Sequence, residues 1–282
     1  MKEAGRRGST KGFSQLAILS LALLFCLPQP VSGGTTSIQM DVRPGVSSTH
    51  VKYATYAIND VIRFFSDNYR IALRKKLRII LVPDEKEYAA VLGKDFGYPP
   101  GDAQKLSKTT GGMARDGQVE YVFAAKARKN ASMDIFMHTA CHEIIHWYQY
   151  TAGGNKSAQL KWLLEGTADL IGYHIVDANI KGAMEKFRRK TWEKIKSAPA
   201  VPSLRELYSR RDWLAAMDRY GGGVVYGKAF LAVTELAQRK GINAVFNYFL
   251  NLKTYPVPVA FERAFGMNLH NFERFIDQKI RK

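Results

Sequence analysis

Apolar positions recur at helical spacing through most of the chain and form strand-like runs in three places. Over His50–Tyr69, Val51, Ala54, Ala57–Ile58, Val61–Ile62 and Phe64–Phe65 fall on one face of a 3.6-residue period, which predicts a helix. Leu77–Val82 is an aliphatic run broken only by Arg78 and stopped by Pro83-Asp84, the pattern of a buried strand. A short helix is expected over Asp84–Leu92 and a turn at Tyr98–Asp102, where two prolines precede Gly-Asp. Thr110–Ala114 and Val119–Ala124 read as two strands joined at Arg115-Asp116-Gly117, a hairpin. Met133–Tyr150 is again helical, with Ile135, Phe136, Thr139, Ile144, Ile145 and Tyr148 making a broad apolar surface. Ser132 or Asn130 stands where a cap is needed, and Gly153-Gly154 is a stop. A second helix runs from Leu160 to about Val176, and everything beyond is helical. Lys181–Lys196 is charged and exposed in character, and Pro199 and Pro202 end it. Ser203–Tyr208 and Trp213–Met217 are short helices, and Tyr220–Gly223 is a flexible joint. Tyr226–Arg239, Asn243–Leu250, Val259–Phe265 and Leu269–Ile280 complete the bundle. The fold class is α+β. One domain over 49–282 is expected, with a mixed part at 49–153, a helical part at 154–282 and a cleft between them.

The Met133–Tyr150 helix carries His142-Glu143-Ile144-Ile145-His146. Positions i and i+4 of a helix lie one above the other, so both imidazoles can hold one metal ion without distorting the backbone. Glu143 projects to the side of that face, where it can reach a metal-bound water without binding the metal. A catalytic zinc takes three protein ligands and keeps one position open. A histidine six residues past His146, preceded by a glycine three residues past it, would complete one class of site; those positions are Gln149 and Ala152, which excludes it. The next candidate is Glu165, on the following helix and separated from His146 by eighteen residues, enough for a turn and an antiparallel return. Asp169 lies four residues on, placed to accept a hydrogen bond from the outer nitrogen of a ligand histidine.

His142–His146 followed by Trp162-Leu163-Leu164-Glu165-Gly166-Thr167-Ala168 resembles the gluzincin metallopeptidases, and within them the peptidase MA-like group. Tyr226-Gly227-Lys228-Ala229-Phe230, Phe261–Gly266 and Phe272–Phe275 resemble that group's helical C-terminal half, so the likeness spans about residues 77–280. The resemblance implies a zincin-like fold, Zn²⁺ held by His142, His146 and Glu165, and Glu143 as general base in peptide-bond hydrolysis. A downstream tyrosine, Tyr226 or Tyr220, is the candidate donor to the oxyanion, although Tyr226 also belongs to a core stripe with Phe230 and Val233. In such enzymes a strand before the zinc helix aligns the substrate, the role foreseen here for the hairpin's edge.

Other residues fit less well. His138 adds a third histidine to the same face, but Glu165 is the better ligand and a structural role is expected for His138. His174 faces away from Glu165, and His50 and His270 stand isolated. Trp147 and Trp162 are expected to pack around the site. Cys141 points about 100° away from His142 and reads as a buried structural thiol.

The N-terminus changes the compartment. Lys2, Arg6, Arg7 and Lys11 precede an apolar stretch of twelve, Leu16–Leu27, and small residues at Val31-Ser32-Gly33. That is a signal-peptide pattern over 1–33, followed by a flexible lead-in at 34–48; twelve residues are too few for an ordinary spanning helix, with an uncleaved anchor as the alternative. Residues before Cys26 are too bulky for lipid attachment, and with Cys141 alone in the mature chain no intramolecular disulfide can form. The net charge is +17, of which the leader's four cations and one glutamate carry +3. The remainder is spread over clusters such as Arg74–Lys76, Lys126–Lys129, Arg188–Lys190 and Arg210-Arg211, and suits an anionic envelope surface; nucleic acid is not expected. The function expected is thus an exported, periplasmic or secreted, zinc metallopeptidase acting on a peptide or protein. The rivals are a non-catalytic zincin-fold binding module at that surface and a binder whose charge is its main function. The oligomeric state and the substrate's side chains are open.

Overall fold

Leu77–Val82, apolar except for the half-buried Arg78, is covered on both faces. In the structure, a computed structural model that describes residues 37–73, 75–116, 120–127 and 132–280, this segment is strand β2 (Lys76–Val82). It lies between β1 (Ile38–Val42) and β4 (Glu120–Lys126), parallel to both, and β3 (Gly112–Asp116) closes the sheet antiparallel to β4. The order is β1-β2-β4-β3, a small four-stranded mixed sheet with β3 at one edge. Leu77, Ile79 and Leu81, with Tyr121, Phe123 and Ala125, join the main core with α1 (Ser48–Tyr69) and α4 (Met133–Gly153). Ile80, Val82, Val122 and Ala124 face the other way, onto Tyr88, Val91 and Leu92 of α2 (Glu85–Phe96) and Ala103 of α3 (Pro100–Thr109). Parallel strands joined through helices are expected to be buried in this manner.

Helix α4 is the central element. Cys141, Ile144 and Ile145 are fully buried, and Tyr148 stacks on Phe65 of α1 with ring centroids 3.9 Å apart. Each such large apolar side chain contributes roughly 1.5–3 kcal/mol by leaving water. The Tyr121 hydroxyl of β4 donates to the carbonyl of Glu143, fixing the middle of α4 under the sheet. The edge strand crosses the same helix one turn earlier, where a Cβ on Gly112 would lie 2.6 Å from Thr139 Cγ2.

The second half is a bundle of α5 (Lys161–Asn179), α6 (Ala183–Ser197), α7 (Arg210–Tyr220), α8 (Gly222–Lys240), α9 (Ile242–Asn251), α10 (Val257–Phe265) and α11 (Leu269–Lys279). Helix α5 lies between α4 and α8, and Trp162 through Tyr173 are all buried. The closest approach is at Gly166, where a Cβ would meet the Ala229 carbonyl oxygen of α8 at 2.4 Å. Any side chain there would push α8 off α5, so the residue after Glu165 is glycine for a packing reason.

Several expectations are corrected. The lead-in at 34–48 holds strand β1 and the start of α1. Ile38–Val42 is held by pairing with β2, a non-local gain that its mixed polar composition hides. The signal-peptide segment 1–33 lies outside the described residues. Tyr98–Asp102 is not only a turn, because Pro100 opens α3; a proline at the first helical position gives up no hydrogen bond. The joint at Tyr220–Gly223 is one residue, Gly221 at φ 81°, between two helices that otherwise abut. His50 is not isolated: it is buried, its Nδ1 lies 2.8 Å from Ser47 Oγ, and its ring meets Phe136 edge-on. Ile135 is exposed although it was placed on the apolar surface of α4. Among the described residues no helix is long and apolar enough to cross a membrane.

Candidate metal centre

Two helices supply the centre, α4 with His142, Glu143 and His146 and α5 with Glu165 and Asp169. The 3₁₀ turn Gly154–Gln159 returns the chain so that α5 lies against α4. His142 Nε2, His146 Nε2 and Glu165 Oε2 converge: the two nitrogens are 3.0 Å apart, and Oε2 is 3.1 Å from the first and 3.6 Å from the second. Three corners of a tetrahedron around a metal at zinc-like bond lengths stand about 3.4 Å apart. The triangle fits that geometry without rearrangement, and the residue types, two imidazoles and a carboxylate, are those zinc accepts. The three side chains form a grouping that could hold a metal ion.

The outer partners are as specific as the triangle. His142 Nδ1 lies 2.8 Å from Asp169 Oδ1, so this nitrogen carries the proton and Nε2 is left for the centre. Gln149 was passed over in the sequence, yet it serves His146 in the same way. Its Oε1 is 2.7 Å from His146 Nδ1, its Nε2 donates to the Leu164 carbonyl at 2.8 Å, and its own carbonyl accepts from Ser157. The signal was available: Gln149 is three residues past His146, on the same helical face. His138 stacks on Tyr173 at 3.9 Å and brings Nε2 to 3.3 Å from Asp169 Oδ1, in space that Gly172 leaves free. His138, His142 and Asp169 form a second close grouping. Its His142 nitrogen at 2.8 Å from the carboxylate is at hydrogen-bond distance, which makes it the support of the first grouping.

Burying two carboxylates is unfavourable unless each is paired. Burial alone would raise Glu165, but the charges of Lys161 and His146 and the hydrogen bond from His142 outweigh it and hold its carboxyl well below the usual range. Asp169 is lowered in the same sense by His138 and His142 against the penalty of burial. Burial disfavours a proton on His142, yet Asp169 and then Glu165 overcome it and raise its pKa well above that of free imidazole.

Glu143 is half-buried on α4, beside His142 and His146, and Tyr121, Lys161 and Tyr226 all feel its charge. Tyr226, on α8, has its ring centroid 6.4 Å from that of His142 and packs edge-on against Trp213 at 4.9 Å. The negative charge of Glu165, then burial and the charges of Asp169 and Glu143, raise it well above the ordinary phenolic range, so its hydroxyl keeps its proton. Tyr220 is not near this group by its contacts; its hydroxyl donates to Glu206 at 2.8 Å. Trp162 packs on Phe261 and Phe272 and anchors α5 to the C-terminal helices instead of lining the centre. Cys141 is buried, with its thiol on the Ala57 carbonyl; His174 is exposed. Lys161, which binds the Glu165 carboxylate, was missed, although its place four residues before Glu165 is a contact spacing.

Asp169→Asn keeps the shape but offers His142 an amide in place of an anion. Metal affinity measured by chelator competition is expected to fall about 10- to 100-fold.

No protein-family profile matches this chain, and a search of curated proteins finds no match. Fold and site together define a mixed α+β protein, mostly helical, with a largely buried His-His-Glu grouping between two helices.

Proposed function

We propose that this protein is an exported zinc-dependent metallopeptidase of gluzincin type. The observation that carries the reading is the near-equilateral triangle of His142 Nε2, His146 Nε2 and Glu165 Oε2, with Glu143 one residue along the same helix. Zinc bound there would supply a Lewis acid and lower the pKa of a water at its open position. His142, His146 and Glu165 would hold the ion, and Asp169 and Gln149 would fix the two imidazoles in the ligating tautomer. Glu143 accepts the proton of the attacking water on its carboxylate and delivers it to the leaving amine. Tyr226, kept protonated, donates toward the oxygen of the attacked carbonyl. Strand β3 has one edge paired with β4 and begins over Thr139, one turn before His142, which suits an extended peptide running along it. The α6 residues Arg189, Lys190, Lys194 and Lys196 are exposed and would favour anionic neighbours, an envelope surface among them; that face is also what a non-catalytic binding module would use.

A peptide hydroxamate joins an extended backbone to a metal-chelating head. It is expected to bind the zinc-loaded protein in calorimetry and to lose that binding when zinc is stripped. Equal binding with and without metal, or none to the loaded protein, sinks the reading.

A further inference from the structure

Glu165 uses its two oxygens for two different purposes. Oε2 faces His142 and His146 at 3.1 and 3.6 Å, while Oε1 is bonded to the ammonium of Lys161. Glu165 is almost wholly buried, so its oxygens are largely withdrawn from water and Oε1 needs that partner.

Lys161 is poorly placed as a helix-stabilising residue. It is the first residue of α5, whose first turn has no acidic side chain, and a cation at a helix N-terminus opposes the helix dipole. A lysine four residues before a glutamate is also the weaker of the two orientations for such a pair. The residue is nonetheless held firmly: its N–H donates to the Tyr208 carbonyl at 2.8 Å, and its side chain is only 21 % exposed. Neither the helix dipole nor the pair's orientation explains a lysine here, whereas the Oε1 contact does.

We infer that Lys161 is a positioning residue that restricts Glu165 to one-oxygen ligation and so keeps a hydrolytic centre four-coordinate, with a fifth position free for the substrate's carbonyl. A carboxylate with both oxygens free takes a metal through either one or two of them. A second oxygen beside the bound water would make the centre five-coordinate before the substrate arrives and take the position into which it must expand in the transition state. Lysine, a compact charge with three donors, occupies Oε1 and removes that option. The inference rests on the proposed metal site and adds to it a residue outside the metal-ligand motif.

The test uses cobalt(II) in place of zinc in the full-length protein, with Lys161→Met and Lys161→Arg beside the parent. Cobalt absorbs strongly in the visible when four-coordinate and weakly when five-coordinate. The parent and Lys161→Arg are expected to give the strong bands. Lys161→Met is expected to bind one cobalt, keep the parent's circular dichroism, lose band intensity and hydrolyse peptide about 10- to 100-fold more slowly, the range for loss of an outer partner. A Lys161→Met protein with unchanged cobalt bands overturns the inference while the metal site stands. Failure of the parent to bind cobalt overturns the metal reading and this inference with it.

Discussion

Glu143→Gln is expected to lower peptide hydrolysis by about 10²- to 10⁴-fold, the range for losing a positioned general base, while leaving one zinc per chain. The side chain keeps its size and loses only the ability to take a proton. The half-buried Glu143 side chain is no member of the converging triangle, and its backbone carbonyl keeps the Tyr121 hydrogen bond whatever the side chain is. Metal content by mass spectrometry and steady-state rates, measured on one preparation, separate the two effects. A variant that hydrolyses at the parent rate with zinc in place would remove Glu143 from the mechanism.

His146→Ala and Glu165→Gln form the second prediction. Each takes away one corner of the triangle, and the loss of metal affinity should exceed the about 10- to 100-fold that an outer partner commands. The consequences differ in detail. His146→Ala leaves the buried Gln149 without the imidazole that it contacts at 2.7 Å, an unpaired group costing about 1–3 kcal/mol. Glu165→Gln leaves the Lys161 ammonium facing a neutral amide. Thermal denaturation reports both. Zinc at 100 times its dissociation constant stabilises a protein by about 2.7 kcal/mol, which at about 2–4 °C per kcal/mol for a domain of this size raises the parent's midpoint by about 5–10 °C. Neither variant should respond to zinc at that concentration. A parent-like shift in either would show that the residue is no ligand.

How much of this was legible without coordinates follows from what each residue depends on. The helices bearing His142–His146 and Glu165 are periodic, and the spacings i to i+4 that set His142 over His146 and Glu165 over Asp169 are properties of one helix. Local regularity was sufficient for them. Strand β1 was hidden because Ile38–Val42 has mixed character and gains its structure from β2, far along the chain. Helix α3 was hidden because Pro-Pro-Gly-Asp reads equally as a turn and as a helix start. Gln149 and Lys161 sit at ordinary helical offsets from His146 and Glu165, but polar residues at such offsets are common, and only the folded arrangement shows that both are turned toward the centre. The glycine at 166 was visible as part of a motif; the reason for it, the Ala229 carbonyl of α8, was not.

The most direct measurement is digestion of a mixed peptide library by the purified protein as loaded with zinc, after chelation, and after zinc is restored, with products read by mass spectrometry. The expected result is cleavage by the loaded protein, its disappearance on chelation and its return with zinc. A protein that carries one zinc at His142, His146 and Glu165 and cleaves nothing, or one whose cleavage survives chelation, would contradict a metallopeptidase.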